Sequence, residues 1–109
     1  MKKINTGLLE TMVQNLLFRK ASSSQHLRQA IYGKVKAIVG SNQSSKLNDE
    51  VLESYTEKIA RYAYKTTDRD IQELQDAGYS QGQIFELSVT AALSAGKTRI
   101  DIVQELLKP

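Results

Sequence analysis

The chain has no cysteine and no tryptophan, and its single proline is the last of 109 residues. Without thiols there is no disulfide, no thiolate catalysis and no cysteine-ligated zinc or iron–sulfur centre. Histidine is nearly absent too: His26 stands alone, so one chain cannot build a multi-histidine metal site. No cofactor and no metal are expected. A single domain of this length buries a core without such staples. Long apolar runs are also missing, since none approaches the roughly 18 residues of a membrane span. The opening "MKKINTGLLETMVQNLLFRK" has a basic start, but Glu10, Gln14 and Asn15 interrupt its apolar stripe and no small-residue cleavage site follows, which fits a signal peptide poorly. The expectation is a soluble, cytoplasmic protein.

Acidic residues are scarce in the first part of the chain. Residues 1 to 46 hold eight Lys/Arg against the one acid Glu10, whereas the rest holds seven bases against eleven acids. Such a split suits either a polyanion-binding surface, built on Lys2, Lys3, Arg19, Lys20, Lys34 and Lys36, or two halves that attract each other within or between chains. The bases fall in two segments without interleaved aromatics, which favours the second reading and makes nucleic acid an unlikely partner.

What the sequence does contain is apolar residues every three or four positions, the pattern of helices. Leu8, Leu9, Met12, Val13, Leu16 and Leu17 form one stripe. Ser22 and Gln25 fit a capping box ahead of a second helix with Leu27, Ile31, Val35 and Ile38 on one face and Gly40 at its end. The polar run "GSNQSSK" then reads as a linker. Asn48 is placed to cap a third helix carrying Val51, Leu52, Tyr55 and Ile59 and extending toward Tyr62 and Ala63. Thr67 and Asp70 cap a short fourth helix, Ile71 to Ala77, stopped by Gly78. Ser80 and Gln83 form a second capping box, with Tyr79 positioned to staple onto Ile84. Gly96 either stops the fifth helix or sits inside it where a neighbour approaches closely, and the spacing Val89, Ala92, Gly96, Ile100, Val103, Leu107 favours one long helix or a mild kink. The fold expected is an all-α bundle of five to six helices in one domain: a basic helical pair over 4–39, a linker over 40–47 and further helices over 48–107.

Three stretches invite a chemical reading. Gly96-Lys97-Thr98 ends like a phosphate-binding P-loop, but the position five residues before Gly96 is Ala91, and the upstream pattern is helical rather than the strand a P-loop follows. "DIQELQDAGYSQGQIFELSVTAAL" has the outline of a helix-turn-helix, yet Ser80 to Leu93 carries no Lys or Arg and Glu86 is its only charge. It reads as a core hairpin. His26 is the one candidate catalytic residue, and as a general base it would need an orienting acid, for which Glu10 is the nearest in sequence. Tyr55, Tyr62 and Tyr64 read as core or subunit contacts, and Glu50, Glu53 and Glu57 as a solvated face mixed with Lys58 and Arg61.

The run Leu47 to Leu107, above all "TDRDIQELQDAGYSQGQIFELSVTAAL", resembles the C-terminal half of carboxymuconolactone decarboxylase-like and alkylhydroperoxidase-D-like proteins. Their pattern of a tyrosine- and lysine-bearing helix, a "TDxD…AG[YF]S" turn and an apolar helix lies on Tyr55 to Ala60, Thr67 to Ser80 and Ile84 to Leu93. The resemblance implies an all-helical, oligomer-forming fold. Peroxidases of this family use a Cys-x-x-Cys pair followed by a histidine. With His26 on that histidine, the cysteine positions fall on Arg19 and Ser22, so thiol peroxidase chemistry is excluded. Residues of the decarboxylase branch find no match here.

The function expected is therefore a noncatalytic member of that family, a homodimer or higher oligomer that binds a small molecule or a partner protein. The alternatives are a thiol-independent enzyme using His26 or a tyrosine as its acid–base group, and a polyanion binder acting through the basic N-terminal half. Self-association is expected because the first stripe, with Phe18, and a last stripe of Ile100, Ile102, Val103, Leu106 and Leu107 offer more apolar surface than one small bundle hides.

Overall fold

A computed structural model describes residues 7–41 and 46–108, all of whose regular structure is helical. Lys2, Lys3 and half of the expected 40–47 linker, residues 42–45, lie outside the described residues, and its first two residues, Gly40 and Ser41, are helical. Five α-helices follow in order: α1 (Gly7–Phe18), α2 (Gln25–Ser41), α3 (Glu50–Tyr62), α4 (Asp68–Asp76) and α5 (Gln81–Leu107), with a 3-10 turn, Ala63–Lys65, between α3 and α4.

The caps are where local sequence chemistry meets the fold. Thr67 and Asp70 form the expected box at α4, the Thr67 N–H donating to Asp70 Oδ2 at 2.8 Å. The same carboxylate takes both its oxygens to Lys58 Nζ at 2.9 and 3.0 Å, tying α4 to α3. Helix α4 starts three residues earlier than expected, because Asp68 to Asp70 occupy its first turn, where acids favour the positive end of the helix dipole. Gly78 ends the turn with φ of 105°, a conformation that L side chains rarely adopt. Ser80 and Gln83 form the second box. Two expected caps are displaced by one or two residues. Asp49, not Asn48, caps α3, its Oδ1 accepting from the N–H groups of Val51 (2.9 Å) and Leu52 (3.3 Å). Ser24, not Ser22, caps α2, its Oγ accepting the Leu27 N–H at 3.0 Å. Asn and Asp cap helices about equally well, so neighbouring contacts decide for Asp49, and Ser22 is committed elsewhere.

Helix α5 runs unbroken through Gly96 and is the axis of the molecule, with α2 packed most extensively along it and α3 beside both. The core joins Ile31, Val35 and Ile38 of α2, Leu52, Tyr55 and Ala60 of α3, Leu74 of α4, and Ile84, Leu87, Ala91 and Ala95 of α5. The buried face of α5 is narrow: Thr90, Ala91, Ser94, Ala95 and Thr98 keep side chains short, and Ser94 Oγ donates to the Tyr32 carbonyl of α2 at 2.6 Å. Small side chains let two helix backbones approach closely. The close neighbour expected at Gly96 is not there, since a Cβ at that position would meet no atom within 4 Å. On α1 only Val13 and Leu17 are buried; Leu8, Met12 and Phe18 face outward. Ala63 leaves the α3 stripe for the 3-10 turn, and Tyr62 is exposed.

Candidate functional site

The charged pair at the α1–α2 connection draws on parts of the chain more than sixty residues apart. Glu86, in the second turn of α5, reaches the connecting loop, where its Oε2 accepts the Ser22 N–H at 3.1 Å and its Oε1 accepts both the Ser23 N–H and Ser23 Oγ–H at 2.7 Å. Arg28, one turn into α2, is buried to 1% exposure beneath the same loop. Its Nη1 donates to the Ser23 carbonyl at 3.1 Å and to Ser23 Oγ at 3.4 Å, and lies 3.7 Å from Glu86 Oε1. Its Nη2 donates to the Arg19 carbonyl, while its Nε has no hydrogen-bond partner. Burial pushes the Glu86 carboxyl upward, but the Ser23 and Ser22 donors and the Arg28 charge outweigh it and hold the group below its ordinary value.

Above this pair lies a cavity of about 530 Å³, within the range of small-molecule sites. Met12, Asn15 and Leu16 of α1, Arg19, Lys20 and Ala21 of the loop, Arg28 of α2, and Glu86, Val89 and Leu93 of α5 line it. Its walls are apolar along the two helices and cationic toward the loop. Chemically, the arrangement can hold and orient a small ligand. A proton-transfer role is poorly served, because the one carboxylate present is acidified and already accepts three hydrogen bonds.

His26 is not part of this cavity. It is exposed at a separate hollow of about 380 Å³ shared with Leu27, Ala30, Lys46, Leu47, Asn48, Asp49, Leu52 and Tyr79. There Tyr79 donates its hydroxyl to Asp49 Oδ2 at 2.6 Å; burial, then this carboxylate, push the phenol up to about 12. Tyr79 thus ties the α4–α5 turn to the cap of α3 and is no acid near neutral pH. Of the other tyrosines, Tyr55 is a core residue bonded to Ser88 Oγ at 2.6 Å. Tyr62 and Tyr64 are exposed, edge to face, with Lys65 Nζ 4.9 and 5.8 Å from their ring centres. Tyr55 is thus a core residue, whereas Tyr62, at the end of α3, and Tyr64, in the 3-10 turn, are not part of the core.

Of the α3 acids read as a solvated face, Glu50 is exposed, but the other two have a partner on α2. Glu53 and Glu57 converge on Lys34 of α2, whose side chain is fully buried, with Nζ–Oε1 separations of 2.5 and 3.6 Å. Glu53 also accepts the Leu47 N–H at 3.1 Å, and the Lys34 bond, ahead of that one, lowers its pKa. Burial takes Lys34 out of the polyanion-binding set, and Arg28 is likewise sequestered; among the described residues of the basic half, Arg19, Lys20, Lys36 and Lys46 are exposed. Lys97 pairs with Asp101 one turn along α5 at 2.8 Å, so Gly96-Lys97-Thr98 is helix, as the broken P-loop pattern implied. Among the described residues no group of three His, Asp or Glu side chains is arranged to hold a metal ion, and no helix is long and apolar enough to cross a membrane.

Arg28, Ser23 and Glu86 escaped sequence reasoning. The available signal was Glu86, the sole charge in an otherwise uncharged stretch of helix, which needed a partner on another element. The positions set against the family's cysteines do lie at this site: Arg19 lines the cavity and Ser22 binds Glu86, while His26 does not reach it. Comparison with protein-family models, with curated proteins and with solved structures gave no match.

Proposed function

We propose that the protein is a noncatalytic binding module of the carboxymuconolactone decarboxylase-like, alkylhydroperoxidase-D-like type that holds a small molecule in the cavity between α1 and α5 and works as a homo-oligomer. The observation that carries the proposal is the cavity itself: apolar helical walls with Arg19, Lys20, Arg28 and Glu86 converging at one end. The noncatalytic part rests on the chemistry of that end. Glu86 is consumed by the loop, and His26 lines a different hollow. Oligomer formation is supported by the outward-facing apolar residues of α1 and of the last turns of α5, including Leu8, Met12, Val103 and Leu106.

Ligand-observed NMR with a panel of small apolar and amphipathic compounds tests the reading. Val89 lies on the cavity wall and is 37% exposed, so Val89→Trp fills the cavity while leaving the core intact. Saturable binding by the natural protein that disappears in Val89→Trp supports the proposal. Absence of any binding, or binding indifferent to the substitution, sinks it.

A further inference from the structure

Resting on the reading of this cavity as a ligand site, we infer that its ligand is an amphipathic anion: an apolar body laid against Met12, Leu16, Val89 and Leu93, and a single anionic head at the Arg19, Lys20 and Arg28 end. Three cations and one carboxylate line the cavity. Glu86 lies 3.7 Å from Arg28 and offsets that one cation, which leaves Arg19 and Lys20 as the cavity's net positive charge.

Arg28 supplies the second, independent observation. A guanidinium offers five N–H donors and accepts nothing. Here it is 1% exposed and spends Nη1 and Nη2 on Ser23 and Arg19, while Nε remains unpaired. Nε itself is closed off from the cavity, so what Arg28 offers a ligand there is the charge of its guanidinium, held in place at the cavity lining by its bonds to Ser23 and Arg19. Arg19 and Lys20 are exposed at the cavity's rim and add long-range attraction without a desolvation cost. The four apolar side chains favour a hydrocarbon body but leave it free to slide, so the cationic end sets its orientation. A polyanion is a poor fit to the same residues: the volume of about 530 Å³ suits one small molecule, and Lys34 is buried away from any surface.

Calorimetric titration of the full chain with octanoate, octyl phosphate and 1-octanol, each below its aggregation concentration, separates the possibilities. Either anion should bind about tenfold or more tightly than the alcohol of equal chain length, as a charge-assisted hydrogen bond implies. A preference between the two anions identifies the head group as carboxylate or phosphate. Because Arg19 and Lys20 are exposed, the Arg19→Gln/Lys20→Gln variant should keep its helicity and melting temperature. It should lose about tenfold in affinity for the anions and nothing for 1-octanol. Equal affinity for 1-octanol and both anions overturns the inference while leaving the cavity as a ligand site. Loss of 1-octanol and anion binding alike in Val89→Trp, with the anion preference intact in the natural protein, supports both. Failure of all three compounds to bind the natural protein overturns the inference, and the wider panel then decides the cavity reading separately.

Discussion

Replacing Glu86 by Gln is the sharpest test of the loop-to-helix network, because it alters charge and donor pattern while keeping the side chain's shape. The carboxylate accepts three hydrogen bonds from the α1–α2 loop, at 3.1, 2.7 and 2.7 Å, and sits 3.7 Å from the buried Arg28. An amide keeps one acceptor oxygen and presents an NH2 group to whichever loop donor faces it, so at least one charge-assisted bond becomes a donor–donor clash. Each such bond contributes about 1.5–3 kcal/mol, and Arg28 also loses its counter-charge. The amide recovers part of this by not burying a charge; Glu86 is 22% exposed, which moderates both terms. The net expectation is a loss of about 2–4 kcal/mol, which for a domain of this size lowers the melting temperature by roughly 10–25 °C. Urea unfolding followed by circular dichroism measures it directly. The pH dependence adds a second reading. The folded pKa of Glu86 is depressed, so its contribution is fully present above the unfolded carboxyl value of about 4.3 and is lost as pH falls through the folded value. The gap between natural protein and variant should therefore be widest at neutral pH and narrow steadily below about pH 4. A loss under about 0.5 kcal/mol at pH 7, or a gap that does not change with pH, refutes the network as a source of stability.

Lys34 and Glu53 should behave unequally: Glu53→Gln strands a fully buried ammonium beside Glu57 at 3.6 Å and should cost about 3 kcal/mol, whereas Lys34→Met leaves Glu53 partly solvated and still bonded to Leu47, and should cost clearly less. Equal losses in urea titrations would contradict this. Gly96→Ala should stabilise by about 0.5–1 kcal/mol, since the position is mid-helix with no atom within 4 Å of the added Cβ, whereas Gly78→Ala, at φ of 105°, should destabilise by about 1–2 kcal/mol. A destabilised Gly96→Ala in thermal melts would mean that another surface packs there. Sedimentation equilibrium at micromolar concentration should give at least twice the chain mass. Val103→Asp, at a site 48% exposed, should shift it to a folded monomer, and a natural protein that is monomeric at every concentration would end the oligomer proposal.

The helices were legible because their signals are local. Apolar spacing, the Thr67–Asp70 and Ser80–Gln83 boxes and the stop at Gly78 all act within a few residues, through backbone N–H groups that the chain's own next turn must satisfy. The limit of that locality explains the two displaced caps: Ser22 and Ser24, or Asn48 and Asp49, are near-equivalent acceptors by themselves, and what decides between them is that Glu86 has claimed the loop at Ser22 and Tyr79 has reached Asp49 from the α4–α5 turn.

By itself the sequence determined the all-helical class and, through the absence of thiols, the exclusion of cysteine chemistry, while it left Gly96 as either a stop or a position inside α5. Only the tertiary structure decided which charges are solvated. Lys34 and Arg28 sit on α2 among residues whose spacing alone marks them as surface, and Glu53, Glu57 and Glu86 look equally ordinary. The two cations become internal and the three acids close over them because α2 packs against both α3 and α5, bringing opposite charges on three different helices within 4 Å. Helical periodicity says which residues share a face and nothing about which face meets which. The candidate cavity, assembled from α1, its loop, α2 and α5, depends wholly on that second choice.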